Sequence, residues 1–262
     1  MSVVKDREDV LFIQRLSELC ERCRTRYSPE FTHFLDGREL ALAKDFLKSQ
    51  SGVRIVCYGG FENAERCVVG MFPVDIYGEC DDNELFEMFD VKGVFIKGSG
   101  FLSFSHRDVM GSVLALGIKR ETMGDIYVPG DSKNAYICMT DVAAEYVSSG
   151  LEYVARDKVK CSVDSPLKLP MPEKRFIVIS GTVASDRLDC VVSLATGLSR
   201  DKSKGIINSG LVNVNHVPEM RVDYSISPGD LLSVRGYGRF VVKELGGLTR
   251  KGRSRTVIHK MV

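Results

Sequence analysis

The spacing of apolar residues predicts helices and strands in the N-terminal part of the chain. Apolar side chains recur every three or four residues through most of 6–49, which predicts helices there, the second of them over 37–48. Two β-rich runs, 53–58 and 67–72, predict strands, and the pair Gly59-Gly60 between them is typical of a turn. This part is therefore expected to form a small domain of helices and strands.

A different order of elements begins at Val91. Strand-like alternation and helical spacing succeed each other in the order strand, helix, strand, strand, helix, strand. The predicted elements are 91–97, 107–117, 125–128, 135–139, 141–149 and an interrupted or bent run over 153–163. This order is that of the ferredoxin-like split βαβ arrangement, which RNA-recognition domains share.

The C-terminal third predicts a strand over 174–182, two short helices and then further strands. Gly210 follows the second helix at the position where glycine commonly ends a helix. Pro228-Gly229-Asp230 predicts a turn, and the chain after it alternates as a strand does. A last hairpin is predicted, with Val241-Val242 on one side and Val257-Ile258 on the other.

Two segments lack these periodicities and predict domain boundaries. The run 73–91 is acidic and contains no Lys or Arg, and it lacks a fixed ligand spacing, which favours a solvated connection. The proline-rich run 165–172 is typical of a linker. The sequence therefore predicts an α+β chain of three small domains: a helical and β N-terminal domain (1–80), a ferredoxin-like, RRM-like βαββαβ central domain (81–165), a linker (166–173) and a C-terminal domain (174–262).

Charge is divided unevenly along a chain whose formal net charge is +1. Residues 174–262 contain 15 Lys and Arg against 7 Asp and Glu, a net of +8, whereas residues 1–173 have a net of −7. A basic third on an acidic body is the charge distribution of a nucleic-acid-binding module joined to a larger protein. The acidic N-terminal half remains open to a protein partner.

Composition limits the other classes of protein. No apolar run approaches the length of a membrane span and no signal peptide is recognisable, which predicts a soluble, cytoplasmic protein. Among the eight cysteines only Cys20 and Cys23 are close together, and no second pair or nearby histidine completes a metal site. We therefore expect reduced, mostly buried thiols, no metal and no cofactor, and nothing in the pattern demands more than a monomer.

The second C-terminal helix is the best candidate for a nucleic-acid surface. Ser199 fits the N-cap position, and Arg200, Lys204 and Asn208, each four residues apart, share the outward face. Cations on such a face displace counterions from a phosphate backbone, and a helix N-terminus adds backbone donors. From the charges alone, a solvated helix face is an equally good interpretation.

The order of residues favours RNA binding. Four elements follow one another: Arg187-Leu188-Asp189, Ser199-Arg200, Gly210-x-Val212-x-Val214-Asn215 and Pro228-Gly229-Asp230. Together they resemble the ribosomal-protein S-four domain, also called the alpha-L RNA-binding motif. The chain departs from that pattern at Ser203, where alanine is common, and at His216, where glycine usually follows the asparagine. Neither departure removes a cation.

Three further elements lie elsewhere: Gly59-Gly60-Phe61-Glu62-Asn63-Ala64-Glu65-Arg66, Lys119-Arg120-Glu121 followed by Gly124-Asp125-Ile126, and Thr249-Arg250-Lys251-Gly252-Arg253. With the C-terminal module they resemble the YlmH family of bacterial RNA-binding proteins over essentially the whole chain. The resemblance implies a further RNA-binding domain in the centre. It also implies a ribosomal partner, the large subunit with its ribosomal RNA and tRNA, and a role in quality control of stalled nascent chains.

Candidate RNA contacts follow from the cations and polar residues of these elements. They are Arg187, Ser199, Arg200, Lys202, Lys204, Asn208, Asn215, Arg235, Arg239, Arg250, Lys251, Arg253 and Arg255 in the C-terminal domain, and Lys119 and Arg120 in the central one. The aromatic residues Phe95, Tyr127 and Tyr136 are expected to be core or partly exposed sheet residues, because no glycine-rich signature strand accompanies them. Stacking of RNA bases on them is the alternative interpretation.

Two alternatives to a non-enzymatic RNA-binding protein remain. Arg187-Leu188-Asp189 echoes the Arg-Leu-Asp catalytic motif of pseudouridine synthases, which also carry S-four-type domains. Here the triplet opens the helix that precedes Ser199-Arg200, so Asp189 is expected to be structural. The other alternative is a protein-interaction scaffold, whose function would survive loss of the basic surface.

Overall fold

The computed structural model describes residues 7–62, 64–170, 176–248 and 252–261. The chain divides into two compact units, Met1–Pro172 and Glu173–Val262. The content of helices and strands confirms the predicted α+β class. The predicted boundary between the first two domains, after residue 80, falls inside the first unit and stays a prediction.

The helices of the described residues are α1 (Arg7–Arg26), α2 (Gly37–Leu47), α3 (Val74–Tyr77), α4 (Asp82–Phe86), α5 (His106–Ala115), α6 (Asp141–Gly150), α7 (Leu188–Thr196) and α8 (Arg200–Asn208). The strands are β1 (Glu30–Phe31), β2 (Val53–Tyr58), β3 (Val68–Pro73), β4 (Val91–Lys97), β5 (Met123–Tyr127), β6 (Asn134–Thr140), β7 (Tyr153–Val154), β8 (Asp157–Lys158), β9 (Lys160–Asp164), β10 (Phe176–Val183), β11 (Val212–Val214), β12 (Val217–Pro218), β13 (Leu231–Val234), β14 (Gly238–Leu248) and β15 (Ser254–Met261). None of these helices is long and apolar enough to cross a membrane.

The first part of unit 1 is a helical layer on a small sheet. Strands β1, β3 and β2 form an antiparallel sheet in that order. Leu16 and Cys20 of α1 pack with Ala43 and Leu47 of α2 and with Met71 of β3 in one buried cluster. The helical stripe predicted from the sequence is therefore the face that α1 buries.

A second cluster shows that the predicted acidic connection is only half right. The carboxylates of 73–91 lie in and around α3 and α4, where most of them are exposed. Leu85 and Phe89 of the same run, however, pack with Phe34 and Phe72, and Phe89 lies edge-on to Phe31 with ring centroids 5.0 Å apart. The run is thus part of a core, because Leu85 and Phe89 are spaced to reach that core together.

The second part of unit 1 has the predicted strand and helix order. Its antiparallel sheet is ordered β5-β6-β4-β9, which is the order of a split βαβ arrangement, and α5 and α6 cover one face. Val94 and Ile96 of β4 point into that helical side, where Val109 and Val147 meet them. The predicted bent run over 153–163 is a short hairpin, β7 and β8, followed by β9.

The predicted linker, 166–173, begins as packed structure rather than as a free connection. Pro166 is buried in a short helical turn. Leu169 packs against the second cluster, and a Cβ added at Gly93 would lie 2.8 Å from its side chain. Because glycine leaves that space, the chain can lie close to β4 here; residues 171–173 lie outside the described residues.

Unit 2 packs two helices against a six-stranded sheet ordered β10-β15-β14-β13-β11-β12, and its neighbouring strands among the described residues pair antiparallel. Leu188 and Val191 of α7 pack with Ile207 of α8 and with Phe240 of β14. The predicted last hairpin is present as β14 and β15, in which Val242 pairs with Ile258. The apolar faces of α7 and α8 therefore both point at the sheet, which leaves their polar faces outward.

Candidate nucleic-acid interface

Helix α8 has the outward polar face that its sequence predicts. Ser199 caps the helix, with its Oγ accepting from the Lys202 amide at 3.4 Å. Ser203 is completely buried, and its hydroxyl donates to the Ser199 carbonyl at 3.0 Å. Serine is accommodated where the related pattern has alanine because the helix itself supplies an acceptor.

Four candidate residues lie along the other side of this helix. Arg200, Lys202 and Asn208 are exposed, and Lys204 is partly exposed. Lys204 lies 3.6 Å from the Asp201 carboxylate, but Asp201 is almost fully solvated, so this pair holds the lysine weakly. The helix thus presents a row of cations, Arg200, Lys202 and Lys204, to solvent over a length of about 6 Å.

The N-terminus of α8 opens into a cleft of about 370 Å³. Gly197, Leu198 and Arg200 line it from the helix side, and Arg253 lines it from the hairpin. In the part of the chain that the structure describes, the backbone amides of Arg200 and Asp201 have no hydrogen-bond acceptor. Free amides at a positive helix end, with two guanidinium groups beside them, suit an anionic group such as a phosphate.

Asp189 determines where two of the candidate arginines point. Its side chain is fully buried, and its oxygens accept from Arg187 Nε and from an Arg200 terminal nitrogen, each at 3.1 Å. Burial opposes ionisation, but the hydrogen bonds from Arg187 and Arg200 outweigh it and lower the pKa of Asp189. Asp189 therefore stays charged while both guanidinium groups, 38% and 50% exposed, keep N–H donors for another partner.

The chain around Asp189 explains why it is buried. The amide of Leu188 donates to the Tyr224 carbonyl at 2.8 Å, and the amide of Asp189 donates to the Val222 carbonyl at 3.1 Å. A loop of unit 2 thus closes the N-terminus of α7, in contrast to the open N-terminus of α8. Asp189 has the structural role that the sequence predicts, with Arg187 and Arg200, rather than the helix dipole alone, as its partners.

A second cleft, of about 420 Å³, lies at the other end of α8. Gly210 lines it two residues after the helix ends, and Arg235 and Arg239 line it from the hairpin of β13 and β14. The amide of Arg235 donates to the Leu211 carbonyl at 2.9 Å, which fixes the hairpin beside the helix end. The predicted pair of arginines is therefore brought together, and the cation row of α8 runs between the two clefts.

Asn215 is held in a turn. It occupies the first position of the turn between β11 and β12 with a φ of 49°, and His216 follows with a φ of 69°. Asn215 Nδ2 donates to Asp230 at 2.7 Å, and its Oδ1 accepts from the Leu231 amide at 2.9 Å. The asparagine and the Pro228-Gly229-Asp230 turn thus fix each other. This contact gives a structural reason for both elements of the motif.

The basic hairpin is described only in part. Arg253 donates through Nε to Thr182 Oγ1 at 2.9 Å and through a terminal nitrogen to the Thr182 carbonyl at 2.7 Å, which ties it to β10. Arg255 is exposed on β15. Arg250 and Lys251, which the sequence also predicts as contacts, lie outside the described residues.

The two candidates of the central domain have different surroundings. Lys119 is 78% exposed and lies 3.8 Å from Glu121. Arg120 is directed inward and donates to the Gly124 carbonyl at 3.1 Å. Burial lowers the pKa of Arg120, and the neighbouring Arg66 acts in the same direction. Of the two, only Lys119 presents its charge to solvent.

Arg66 and Asp125 join two of the elements that the sequence singles out. Asp125 accepts from the amide of Glu65 at 2.6 Å and from the amide of Arg66 at 3.2 Å. Arg66 in turn donates to the carbonyls of Met123 and Phe34, at 2.8 and 2.9 Å. The glycine-pair element and the Gly124-Asp125 element are therefore one structural joint, which sequence spacing did not reveal because 57 or more residues separate the partners.

The possible metal ligands and the thiols are the remaining reactive groups in the ranges described above. No group of three or more His, Cys, Asp or Glu residues there could hold a metal ion. Cys20 and Cys23 are buried beside Met71. Burial raises the pKa of Cys67 and of Cys138 to about 12, so these thiols stay protonated.

Comparison with known proteins gives the family. Residues 8–76 match the protein-family model described as "YlmH, N-terminal". Residues 86–166 match the family model described as "Putative RNA-binding domain in YlmH". The chain is 30% identical over 258 residues to ribosome-associated protein quality control protein P2 of Bacillus subtilis (strain 168), which covers 97% of this chain and 96% of that protein. Cell division protein ylmH from Streptococcus pneumoniae has a similar fold, with a TM-score of 0.51 and 23% identity over 62% of this chain and 93% of that one. The chain belongs to the YlmH family.

Proposed function

We propose that this protein is a non-enzymatic RNA-binding protein of the ribosome, and that unit 2 is its alpha-L-type module for structured RNA. The observation that carries the proposal is the arrangement around α8. Buried Asp189 holds Arg187 and Arg200 half-exposed, and the open helix N-terminus lies beside them. Such a surface recognises phosphates and shape rather than base edges, as binding to double-stranded RNA requires.

The partner is proposed from the family. A relative of nearly the same length is named a ribosome-associated protein quality control protein. We therefore propose ribosomal RNA and tRNA on the large subunit as ligands, and a role with stalled nascent chains. A protein with this role acts as a monomer in the cytoplasm, with the cation row and its two clefts against the RNA.

The burial of Asp189 also favours binding over RNA modification. A catalytic carboxylate of the pseudouridine-synthase type has to touch its substrate. Asp189 is 0% exposed, and both of its oxygens already accept from arginines. The ion pairs of Asp189 with Arg187 and Arg200 give the Arg-Leu-Asp triplet a structural role, so no catalytic role is needed to account for it.

Sedimentation from a bacterial lysate at low and moderate salt tests the proposal. We expect the wild type to migrate with the large subunit. Lys202→Ala, which removes an exposed cation without disturbing Asp189, should weaken this association, and Arg200→Ala should weaken it further. Binding to an isolated ribosomal RNA hairpin is measured at several salt concentrations. Each lost phosphate contact should reduce the slope of log K against log salt concentration by roughly 0.7–0.9.

Lys48→Ala is the matched control, because Lys48 is an exposed lysine at the end of α2 in unit 1. It changes the net charge equally and should leave migration and salt slope as they are. Migration of the wild type as free protein at both salts would reject a stable association with the ribosome. Equal binding by Lys202→Ala, Arg200→Ala and the wild type would reject α8 as the RNA surface.

A further inference from the structure

Three aromatic rings form a row across the sheet of the central domain. Phe95 of β4 is in register with Tyr136 of β6, and Tyr136 is in register with Tyr127 of β5. The ring centroids lie 5.0 Å apart for the first pair and 6.0 Å apart for the second. The Tyr127 and Tyr136 rings are stacked, 24° from parallel.

The row lies on the sheet face that the helices leave open. Neighbouring residues on a strand point to opposite faces. Because Val94 and Ile96 point into the core under α5 and α6, Phe95 between them points to the other side. Tyr136 lies in the same way between Ala135 and Ile137 of that core. All three rings are partly exposed rather than buried.

The rest of unit 1 covers this face at one end only. Cys138, two residues from Tyr136 on the same face, is buried in the cluster that holds Phe34. Phe61 and Leu169 line a small recess with Tyr127 and Tyr136. The row is therefore the last exposed part of the face before the covered end, and its rings are supported from the side.

Two lysines flank the row on its uncovered side. Lys97 of β4 lies directly opposite Lys160 of β9. This pair is two residues further along the strands than the pair of Phe95 with Ser162. Both lysines are exposed, and neither forms an ion pair with another described residue. Like charges directly opposite each other on a sheet are destabilising unless an anion lies between them. The pair stands out in a half of the chain that is acidic overall.

We propose that this sheet face binds about two or three unpaired nucleotides of RNA, with the bases stacked on Phe95, Tyr136 and Tyr127 and the backbone against Lys97 and Lys160. Aromatic rings in register give base stacking, which tolerates many sequences because every base has a π face. The lysine pair gives the charge that a phosphate backbone needs. The inference rests on the proposed RNA-binding function and adds a single-stranded segment to the structured RNA held by unit 2.

A fluorescent single-stranded RNA tests the stacking directly. The probe is an octauridine with 2-aminopurine at its centre, whose fluorescence falls when the base stacks. The full-length chain is suitable because it contains no tryptophan. We expect the wild type to quench the probe, and the double variant Phe95→Leu with Tyr136→Leu to abolish quenching and weaken binding by about tenfold or more. Leucine keeps the rings' apolar character, so the sheet should remain folded.

Tyr146→Leu is the matched control. Tyr146 is 55% exposed on α6, in the helical layer on the other side of the sheet, and its loss should change neither quenching nor affinity. Lys97→Ala should flatten the salt dependence for this probe while quenching at saturation persists.

Unchanged quenching in a folded double variant would overturn the inference. So would equal losses in the double variant and in Tyr146→Leu. These outcomes are separate from a failure of the proposed function, which concerns ribosome sedimentation and the hairpin probe. Lys202→Ala should weaken hairpin binding and leave octauridine quenching intact.

Discussion

Asp125 in unit 1 and Asp189 in unit 2 each have arginines as neighbours, and the arginines end in opposite situations. Arg66 turns its N–H donors to the carbonyls of Phe34 and Met123, and Arg120 does the same with Gly124. Around Asp189, in contrast, the arginines bind the carboxylate with one nitrogen each and keep the rest of the guanidinium half-exposed.

The pKa values of the two carboxylates follow this difference. Burial raises the pKa of Asp125, against the hydrogen bonds from the amides of Glu65 and Arg66. At Asp189 burial acts in the same sense, but two cations outweigh it and the pKa is lowered. An arginine therefore has N–H donors for an outside partner only where they are not already used inside the protein.

The largest effect that would sharpen this comparison is expected from Arg66→Ala. The change removes the hydrogen bonds that Arg66 donates to the carbonyls of Phe34, Met123 and Arg120, which should lower the free energy of unfolding of unit 1 by about 3 kcal/mol. Urea unfolding, followed by NMR signals of unit 1, measures the loss. Affinity for the ribosomal RNA hairpin should stay within twofold of the wild type at a temperature where both are folded.

Arg22→Ala is the control for this variant. Arg22 forms a surface ion pair with Glu30 at 2.7 Å and bonds no backbone carbonyl, so its loss should hardly change unfolding. Equal destabilisation by Arg66→Ala and Arg22→Ala would show that the carbonyl contacts contribute little. A large loss of hairpin affinity in folded Arg66→Ala would make Arg66 an RNA contact and remove the contrast between the two carboxylate centres.

Asp189→Asn should have the next largest effect, and it should act on both stability and binding. The amide keeps the shape but loses the charge that orients Arg187 and Arg200, so we expect about 1–3 kcal/mol less stability in unit 2. Hairpin affinity should also fall, although Asp189 itself is too buried to touch RNA. Urea unfolding with NMR signals of unit 2 and fluorescence anisotropy of the hairpin measure the two effects.

The pH dependence distinguishes the two carboxylates further. Because the folded state lowers the pKa of Asp189, its stabilisation is complete above the unfolded value of about 3.9 and is lost as the pH falls through the lower folded value. The gap between the wild type and Asp189→Asn should therefore close below about pH 4. The folded state raises the pKa of Asp125, so the opposite trend is expected there. The wild type should gain stability relative to Asp125→Asn as the pH falls towards about 4. The same sign for both variants would contradict the pKa directions.

Local periodicity predicted most of the elements. Strands β2 and β4 have the bounds that alternation indicated, and α2 ends one residue before its predicted end. The acidic run 73–91 predicts a solvated connection because it contains no Lys or Arg and its carboxylates lack a fixed ligand spacing. Its packing depends on Phe34 and Phe72, which are far away in sequence, and a local pattern contains no information about them.

The candidate site was predictable to a similar degree. Helical spacing predicted the outward face of Arg200, Lys204 and Asn208, opposite the buried Ser203 and Ile207, because that arrangement follows from one helix alone. The inward direction of Arg120 could not be predicted, since it depends on carbonyls that only the folded sheet brings near. The alignment of Phe95, Tyr127 and Tyr136 in one row could not be predicted for the same reason. Strand register, which one sequence does not give, is what aligns Phe95 with Tyr136.

The smallest effect is expected from Asn215→Gly. This variant tests whether RNA binding distinguishes unit 2 from unit 1 as a whole, or side chains with free donors from side chains already hydrogen-bonded inside the protein. Asn215 belongs to the basic module, yet its side-chain amide already donates to Asp230 and accepts from the Leu231 amide. Glycine tolerates the positive φ of this turn, so the variant removes the side-chain hydrogen bonds alone and should cost about 1 kcal/mol or less. The salt dependence of hairpin binding should stay that of the wild type, whereas Lys202→Ala should flatten it. A flatter slope for Asn215→Gly would mean that this turn approaches the phosphates, and that a hydrogen bond inside the protein does not by itself take a residue out of the RNA surface.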